Sequence, residues 1–443
     1  MTQSKFSSFI RIAIIVVSLT YLFLCLLGGL EVSYTLQSSV VHFFIGLAIL
    51  LVLRHLLLLT SAWIETSSPP AMWPEKNDWQ PLVSIIIPAY NEEEVIEPSL
   101  KSLLNIEYAH YEIIMVDDGS TDNTVGIVKH IVRHNNPRMI PTQVIAQGNG
   151  GKANALNTGL IHASGDFVLC VDSDSRIFPD SLQKGLRHFK NKRIAAVAGN
   201  IIVANENNLI TRFQQLEYLL SQNFIRRGLS LFGVVTVIPG PIGLFRKSAL
   251  SEAHGYDEDK QLFAEDADLT VRLLALGWHI SSDKNMKAAT EAPDTINSIL
   301  RQRYRWKRGI YQVLHKNFFD LITAPGHRYT LIAMMLALEG FLFEILGFGV
   351  TLFMLSNIIL LGEVKLIVGW LILLLVLDML TLLQAAGPYQ FLKWLPLLTL
   401  QKLTYTLALQ TWSVLALLDE WRSSNMSWDK VERTGTLRNG RTS

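Results

Sequence analysis

Two carboxylates, Asp172 and Asp174, follow the apolar run Phe167 to Val171 with a single serine between them. Acids two residues apart at the end of a buried strand can share one hard cation, because Mg²⁺ is typically held by one or two carboxylates together with substrate phosphates. The same pattern also serves as a solvated turn in which Asp174 or Ser175 caps a helix. Asp117 and Asp118 open a second acidic turn, Asp-Asp-Gly-Ser, after the run Ile113 to Val116. That turn can hydrogen-bond a nucleotide base or ribose, or close the strand as an ordinary Asx turn. Gly148 to Lys152 (GNGGK) fails the Walker A spacing, since Ala146 stands where the first Gly is needed and Ala153 replaces Ser or Thr. ATP hydrolysis of the P-loop kind is therefore not expected, although a Gly-rich turn with Lys at a helix start still suits a diphosphate. Glu265, Asp266 and Asp268 crowd the first turn of a helical pattern. They either complement the helix dipole or supply a general base. Gln302, Arg305 and Trp306 stand at i, i+3 and i+4, so they share one helix face. Trp stacks on sugar rings or aromatic groups and Arg pairs with phosphate; the same basic pattern suits a helix lying on a membrane surface.

These residues need a frame. Val83 to Pro88, Ile113 to Val116, Gln143 to Ala146 and Phe167 to Val171 read as strands, and Lys152 to Ala163 reads as a helix. Asn91 is expected to cap a helix whose first turn is Glu92 to Glu94 and which Pro98 bends. Alternation at this spacing predicts an α/β, Rossmann-like, mostly parallel sheet with helices on both faces. Ligands bind such sheets beyond the carboxyl ends of the strands. That rule selects Ala89, Tyr90 and Glu92, then Asp117 to Ser120, then Asp172 to Ser175.

The chain has 443 residues, 49% hydrophobic and 17% charged, where a soluble domain carries about a quarter charged. With 39 Lys and Arg against 38 Asp and Glu, the net charge is +1, which gives no footprint for nucleic acid and excludes an acidic disordered chain. Cys25 and Cys170 are too few for a disulfide framework and read as packing residues. The apolar residues concentrate in Phe9 to Leu30, Val40 to Thr60, Tyr329 to Leu361, Leu366 to Ala386 and Leu392 to Leu418, and about 20 such residues span a bilayer. The expected division is two N-terminal membrane helices (1–65), a polar, Pro-rich linker (66–80), the α/β domain (81–296), amphipathic interfacial helices (297–328), about three C-terminal membrane helices (329–420) and a polar tail (421–443). The cluster Arg301 to Arg328 places the domain in the cytoplasm. Three trailing spans put the tail outside, whereas five Lys or Arg against four Asp or Glu after Leu418 are a weak vote for inside. Glu339, Glu344, Asp378, Gln384 and Gln401 lie among the apolar stretches. They either line a path through the membrane or hydrogen-bond helix to helix.

The order and spacing of the motifs resemble the processive, membrane-embedded members of glycosyltransferase family 2 over roughly Pro81 to Gly309. The matching segments are PAYNE (Pro88 to Glu92), VDDGSTD (Val116 to Asp122), GKANALN (Gly151 to Asn157), VDSD (Val171 to Asp174), AEDADL (Ala264 to Leu269) and QRYRW (Gln302 to Trp306). The layout is most similar to bacterial poly-β-1,6-N-acetylglucosamine synthases. The resemblance implies a GT-A-type domain in an enzyme of the inner (plasma) membrane, multi-pass, with an inverting, processive transfer from a UDP-sugar to a growing polysaccharide. UDP-N-acetylglucosamine is the expected donor, export is coupled, and a small membrane partner subunit is possible. It implies that Asp118, with Asp117, binds uracil and that Lys152 helps hold the donor. Asp172 and Asp174 hold Mg²⁺ or Mn²⁺, Asp266 with Glu265 forms the base motif, and Gln302, Arg305 and Trp306 close over nucleotide and acceptor. A hyaluronan-, chitin- or glucan-type synthase, or a non-processive enzyme with a lipid acceptor, are the alternatives. Two departures stand out: Ala264 replaces the usual Thr or Ser, and Ile238 to Gly243 (IPGPIG) replaces a Ser-Gly pattern near the acceptor.

Overall fold

The computed structural model describes residues 39–67, 79–323, 345–357, 359 and 364–422. Its centre is a sheet of eight strands: β1 (Val83–Ala89), β2 (Tyr111–Asp117), β3 (Thr142–Ala146), β4 (Phe167–Cys170), β5 (Ser175–Ile177), β6 (Ile194–Val203), β7 (Gly243–Arg246) and β8 (His279–Thr290). Their order is β3-β2-β1-β4-β7-β6-β8-β5. β3, β2, β1 and β4 run parallel, β7 is antiparallel to both β4 and β6, and β6 is parallel to β8. β1 (VSIIIPA) is buried along its whole length, as a strand covered on both faces must be. The two-residue period sends Ile85 and Ile87 into one core and Ile86 into the other, and β2 splits in the same way between Met115 and Ile114. The register pairs Ala89 with Asp117 and Asp117 with Ala146. The carboxyl ends of three strands therefore finish level, and the polar turns after them meet at one edge.

The first helix of the domain begins at Ile96 rather than at Glu92. Asn91 takes a left-handed conformation with φ 53°, and its Oδ1 accepts from Thr121 N at 2.8 Å. Glu93 accepts from Asn123 N at 3.0 Å. The residues expected to start a helix instead lace the loop after β1 to the loop after β2. Pro98 is then the third residue of the helix Ile96–Leu104, where its missing N–H has no partner to lose, so the expected bend has no cause.

The helix Ser39–Ser67 contains the run Val40 to Thr60 and ends against the domain. Leu58 and Ala62 belong to the same core as Ile86 and Phe224. A Cβ on Gly228 would sit 3.0 Å from the Leu58 carbonyl oxygen, so only glycine lets the two backbones approach this closely. Among the described residues, His42–Thr66 and Ile367–Gly387 are long and apolar enough to cross a membrane, and Ile345–Asn357 is a shorter apolar helix. The helix Val364–Gln401 breaks at Gly387, φ 78°, between the runs Leu366 to Ala386 and Leu392 to Leu418. The second run passes through a π segment, Lys402–Thr406, into the helix Leu407–Trp421. Phe9 to Leu30, most of Tyr329 to Leu361, and the polar groups Glu339 and Glu344 lie outside the described residues. The remaining polar groups among these helices bond helix to helix or helix to domain. Asp378 pairs with Lys402 at 2.8 Å, Gln401 donates to the Phe213 carbonyl at 2.8 Å, and Gln384 meets Arg227 at 3.4 Å.

Candidate active site

At the end of β4 the chain turns outward at Asp172, and the helix Lys152–His162 brings its first residue alongside. Gly151 precedes that helix with φ 92°, a conformation that glycine adopts without strain. Lys152 Nζ lies 2.6 Å from Asp172 and 3.3 Å from Glu265. Burial alone would lower the Lys152 ammonium, but Asp172 and Glu265 outweigh it and hold it well above its ordinary value. Asp266 borders the same cleft, with Gly240 and Tyr256. Burial, and then the charge on Glu265, push the Asp266 carboxyl up to about 6, against the pull of Lys152 and of the Ala267 N–H. Residues from five separate stretches of sequence thus meet where Lys152 and Asp266 are both shifted upward, and perturbed groups gathered in a cleft are a recurrent sign of a functional site. Cys170 is a packing residue, as expected: burial pushes its thiol up to about 12, and the Tyr256 hydroxyl donates to its sulfur at 3.4 Å.

Asp266 is fixed by the helix Glu265–Ala275 and by what that helix packs on. Asp268, the third acid of the motif, is fully buried and structural. It accepts from Arg272 at 2.7 Å, Lys316 at 2.9 Å and Asn317 at 3.0 Å, the last two on the helix Ile296–Thr323. Ala264 occupies the N-cap without a side-chain cap bond. A Cβ on Gly309 would lie 2.6 Å from the Ala264 Cβ. The Ala264 departure therefore coincides with a close crossing, and the Gln302–Trp306 helix presses directly on the loop that carries the base.

Asp118 is more occupied than expected. Its carboxylate accepts from Gly150 N, Gly151 N and Gln147 Nε2, each at 2.8 Å. Asp118 therefore holds the Gly-rich loop that delivers Lys152. Asp117 is buried at the end of β2 and accepts from Ser120 N at 3.4 Å. Ala89 is buried at the end of β1, and its carbonyl accepts from Asp118 N at 2.9 Å. Tyr90 sits half-buried in the loop that follows. Glu92 N donates to Thr124 Oγ1 at 2.8 Å.

Asp172 and Asp174 face different partners. Asp174 is buried and accepts from Ser175 at 3.1 Å and Thr290 at 3.4 Å, while Asp172 pairs with Lys152. Among the described residues no group of three or more His, Cys, Asp or Glu is arranged to hold a metal ion. The pair still offers only oxygen donors, which suits a hard cation. Gly240 keeps the approach to Asp172 open, since a Cβ there would sit 2.8 Å from Asp172 Oδ2.

On the other side, Trp306 packs on a core of Ile201, Val203, Tyr218 and Ala292. Gln302 and Arg305 are half-buried on the same helix. Arg303, which the spacing argument passed over, organises this face. It is buried, makes two bonds to Glu217 at 3.0 and 2.9 Å, and stacks 4.1 Å over the Trp306 ring. Tyr405, in the π segment of the C-terminal helices, donates to the same Glu217 at 2.6 Å. In sequence, Arg303 is one more cation in a basic run; its carboxylate partner lies 86 residues away. A larger cleft of about 660 Å³ opens at the opposite end of the strands, by Trp79 and Phe189. Its Arg246 is bonded to backbone carbonyls of Ile194 and Phe189 and its Lys247 to that of Ala163, and none of the motif acids lines it.

Residues 84–253 match the model of the glycosyl transferase family 2. Over 241 residues the chain is 33% identical to the poly-beta-1,6-N-acetyl-D-glucosamine synthase of Staphylococcus epidermidis, covering 54% of this chain and 57% of that protein. The enzyme of the same name from Staphylococcus aureus (strain COL) is 33% identical over 254 residues, 57% of this chain and 60% of that one. The match therefore spans less than two thirds of the length of these curated relatives. In structure the chain is similar to the mannosyltransferase PcManGT from Pyrobaculum calidifontis, solved with GDP-Man and Mn²⁺. The TM-score is 0.58 at 19% identity, over 86% of this chain and 99% of that one. The expected GT-A-type α/β fold is thus the one observed.

Proposed function

With residues 84–253 as a glycosyl transferase family 2 domain, we propose that the chain transfers a sugar from a UDP-linked donor to a saccharide acceptor with inversion at the anomeric carbon. UDP-N-acetylglucosamine is the donor to test first, because the similar staphylococcal proteins are named for a polymer of that sugar. The observation that carries the reading is Asp266: a half-buried carboxylate raised to about 6, at the start of a helix, in one cleft with a Lys152 pinned by Asp172 and Glu265. A carboxyl tuned toward neutrality is ionised at working pH and still basic enough to take a proton from an attacking hydroxyl. A single base and one direct displacement invert configuration, so an α-linked donor gives a β-linked product.

In this reading Asp118 keeps the glycine loop folded so that Lys152 meets the donor diphosphate. Asp117 and Tyr90 border the nucleotide, and Glu265 holds Lys152 away from Asp266. Asp172 and Asp174 would hold a Mg²⁺ or Mn²⁺, which when bound offsets charge on the leaving diphosphate. Gln302, Arg305 and Trp306 close over nucleotide and acceptor. Repeated transfer without release, export along the apolar helices, an inner-membrane location and a small partner subunit extend the same proposal. The test is UDP release by the purified full chain with Mn²⁺ across a panel of UDP-sugars, with Asp266→Asn as the control, followed by sizing of the product. UDP release with a long product supports the polymerase reading, a single added sugar restricts it to one transfer, and no release from any donor overturns it.

A further inference from the structure

Glu217 ends the helix Leu209–Glu217, and the chain winds into a π turn, Tyr218–Asn223, directly after it. The C-terminal apolar helices bring a second π segment, Lys402–Thr406, to the same place. Such insertions occur frequently at functional sites. The two stretches are joined by polar bonds as well as by packing. Leu216 shares a core with Leu382 and Leu398. Gln401 Nε2 donates to the Phe213 carbonyl at 2.8 Å, and the Phe213 and Tyr405 rings lie 5.4 Å apart. The Tyr405 hydroxyl donates to Glu217 Oε2 at 2.6 Å. Lys402, which opens the π segment, pairs with Asp378 at 2.8 Å, so the turn that carries Tyr405 is also tied to its own helix bundle. Glu217 passes the attachment on to the next helix. Its Oε2 accepts from Arg303 Nη2 at 2.9 Å and its Oε1 from Arg303 Nε at 3.0 Å. Such a two-pronged bond fixes the plane of the guanidinium. Arg303 in turn grips Gln302, donating from Nη1 to Oε1 at 2.5 Å, and lies 4.1 Å over the Trp306 ring.

We propose that Glu217 is a positioning residue for sugar transfer: held by Tyr405 from the C-terminal helices, it sets through Arg303 the orientation of Gln302 and Trp306. The assignment rests on the glycosyl-transfer reading above, in which Gln302 and Trp306 close over nucleotide and acceptor. A carboxylate suits the task because its two oxygens take the Tyr405 hydroxyl and both prongs of Arg303 together. Arginine suits the middle of the line because its flat fork meets the carboxylate while its face meets the indole, which a lysine cannot do. The closed arrangement of the site is thereby tied to where the C-terminal helices sit.

The test follows UDP release and thermal midpoint of the full chain in detergent, with the UDP-sugar that the wild type turns over fastest. Tyr405→Phe removes one hydrogen bond and keeps the ring; it is expected to lower kcat by roughly tenfold, the kinetic equivalent of one bond to a charged group. Arg303→Lys keeps the charge but loses the fork and the stack, and should cost at least as much turnover. The pair Arg303→Met with Glu217→Gln separates positioning from stability. With charge and counter-charge both removed, the thermal midpoint should return toward that of the wild type, while kcat stays low. In a Trp306→Phe background Tyr405→Phe should cost less than about twofold further, since both changes act through the same ring. Wild-type kcat in Tyr405→Phe, turnover that recovers along with stability in the pair, or fully additive losses with Trp306→Phe overturn the assignment while an active wild type leaves the transferase reading standing. Wild-type protein that releases no UDP from any donor overturns that reading and this assignment with it.

Discussion

Two regions of the domain, the cleft at Lys152 and the face at Tyr218, differ in how their polar groups are spent. On the Lys152 side each charge already has a partner: Asp118 takes three donors, and Lys152 bridges Asp172 and Glu265. On the Tyr218 side Arg303 and Glu217 are paired, but Gln222 and Asn223 are left with bare oxygens. Under the proposed function the Lys152 side grips the donor nucleotide, and a preorganised charge lattice suits that task because little reorganisation remains at the moment of reaction.

The comparison breaks most visibly at the boundary. Asp266→Asn is expected to cut kcat by about 10²–10⁴-fold with UDP affinity within a factor of two, measured by turnover and by UDP titration. Loss of UDP affinity would move Asp266 to the donor side. Next is the paired part of the far side. Arg303→Met leaves the half-buried Glu217 without its cation, which costs at most about 3–5 kcal/mol and should appear as a drop in thermal midpoint, whereas adding Glu217→Gln should recover much of it. On the donor side, Asp118→Ala strands the Gly150 and Gly151 N–H groups, and UDP should bind roughly 10–100-fold more weakly, from about 1.5–3 kcal/mol for hydrogen bonds to a charged group. The smallest effect is the pH response. Activity should fall tenfold per unit below about pH 6 as Asp266 takes up its proton. Stability should run the other way. The folded carboxyl is raised from 3.8 to about 6, so the native state binds more protons across that window and Asp266 removes stability as pH rises through it. Asp266→Asn should therefore melt higher than wild type at neutral pH, with the gap closing below pH 4.

Much of the donor side was legible in the sequence, because parallel strands announce themselves as apolar runs and the acids follow directly at their ends. β1, β2, β3 and β4 fall where the runs predict; Lys152, Asp172 and Asp266 line one cleft, while Asp117 ends β2. β8 (HISSDKNMKAAT) was not legible: its residues alternate without an apolar run, and only pairing with β6 and β5 makes it a strand. The roles of Asp118 and Asp268 were half legible. Both are acids in a motif, but one is spent on a glycine loop and the other on Lys316 and Asn317, partners that no local pattern reveals. Glu92 to Glu94 looked like a helix start because acids favour that position. The bonds from Thr121 and Asn123 to Asn91 and Glu93 override the preference.

The close crossing of Gly228 on Leu58 has a practical side. The α/β unit and the helix Ser39–Ser67 share one core, with Leu58 and Ala62 inside it and Arg227 reaching Glu65 at 3.3 Å. A fragment cut at Pro81 would expose Phe224 and the groove that Gly228 keeps open, and would leave the Arg227 guanidinium without its carboxylate. Such a fragment is expected to aggregate on expression, while one beginning at Ser39 and kept in detergent stays dispersed.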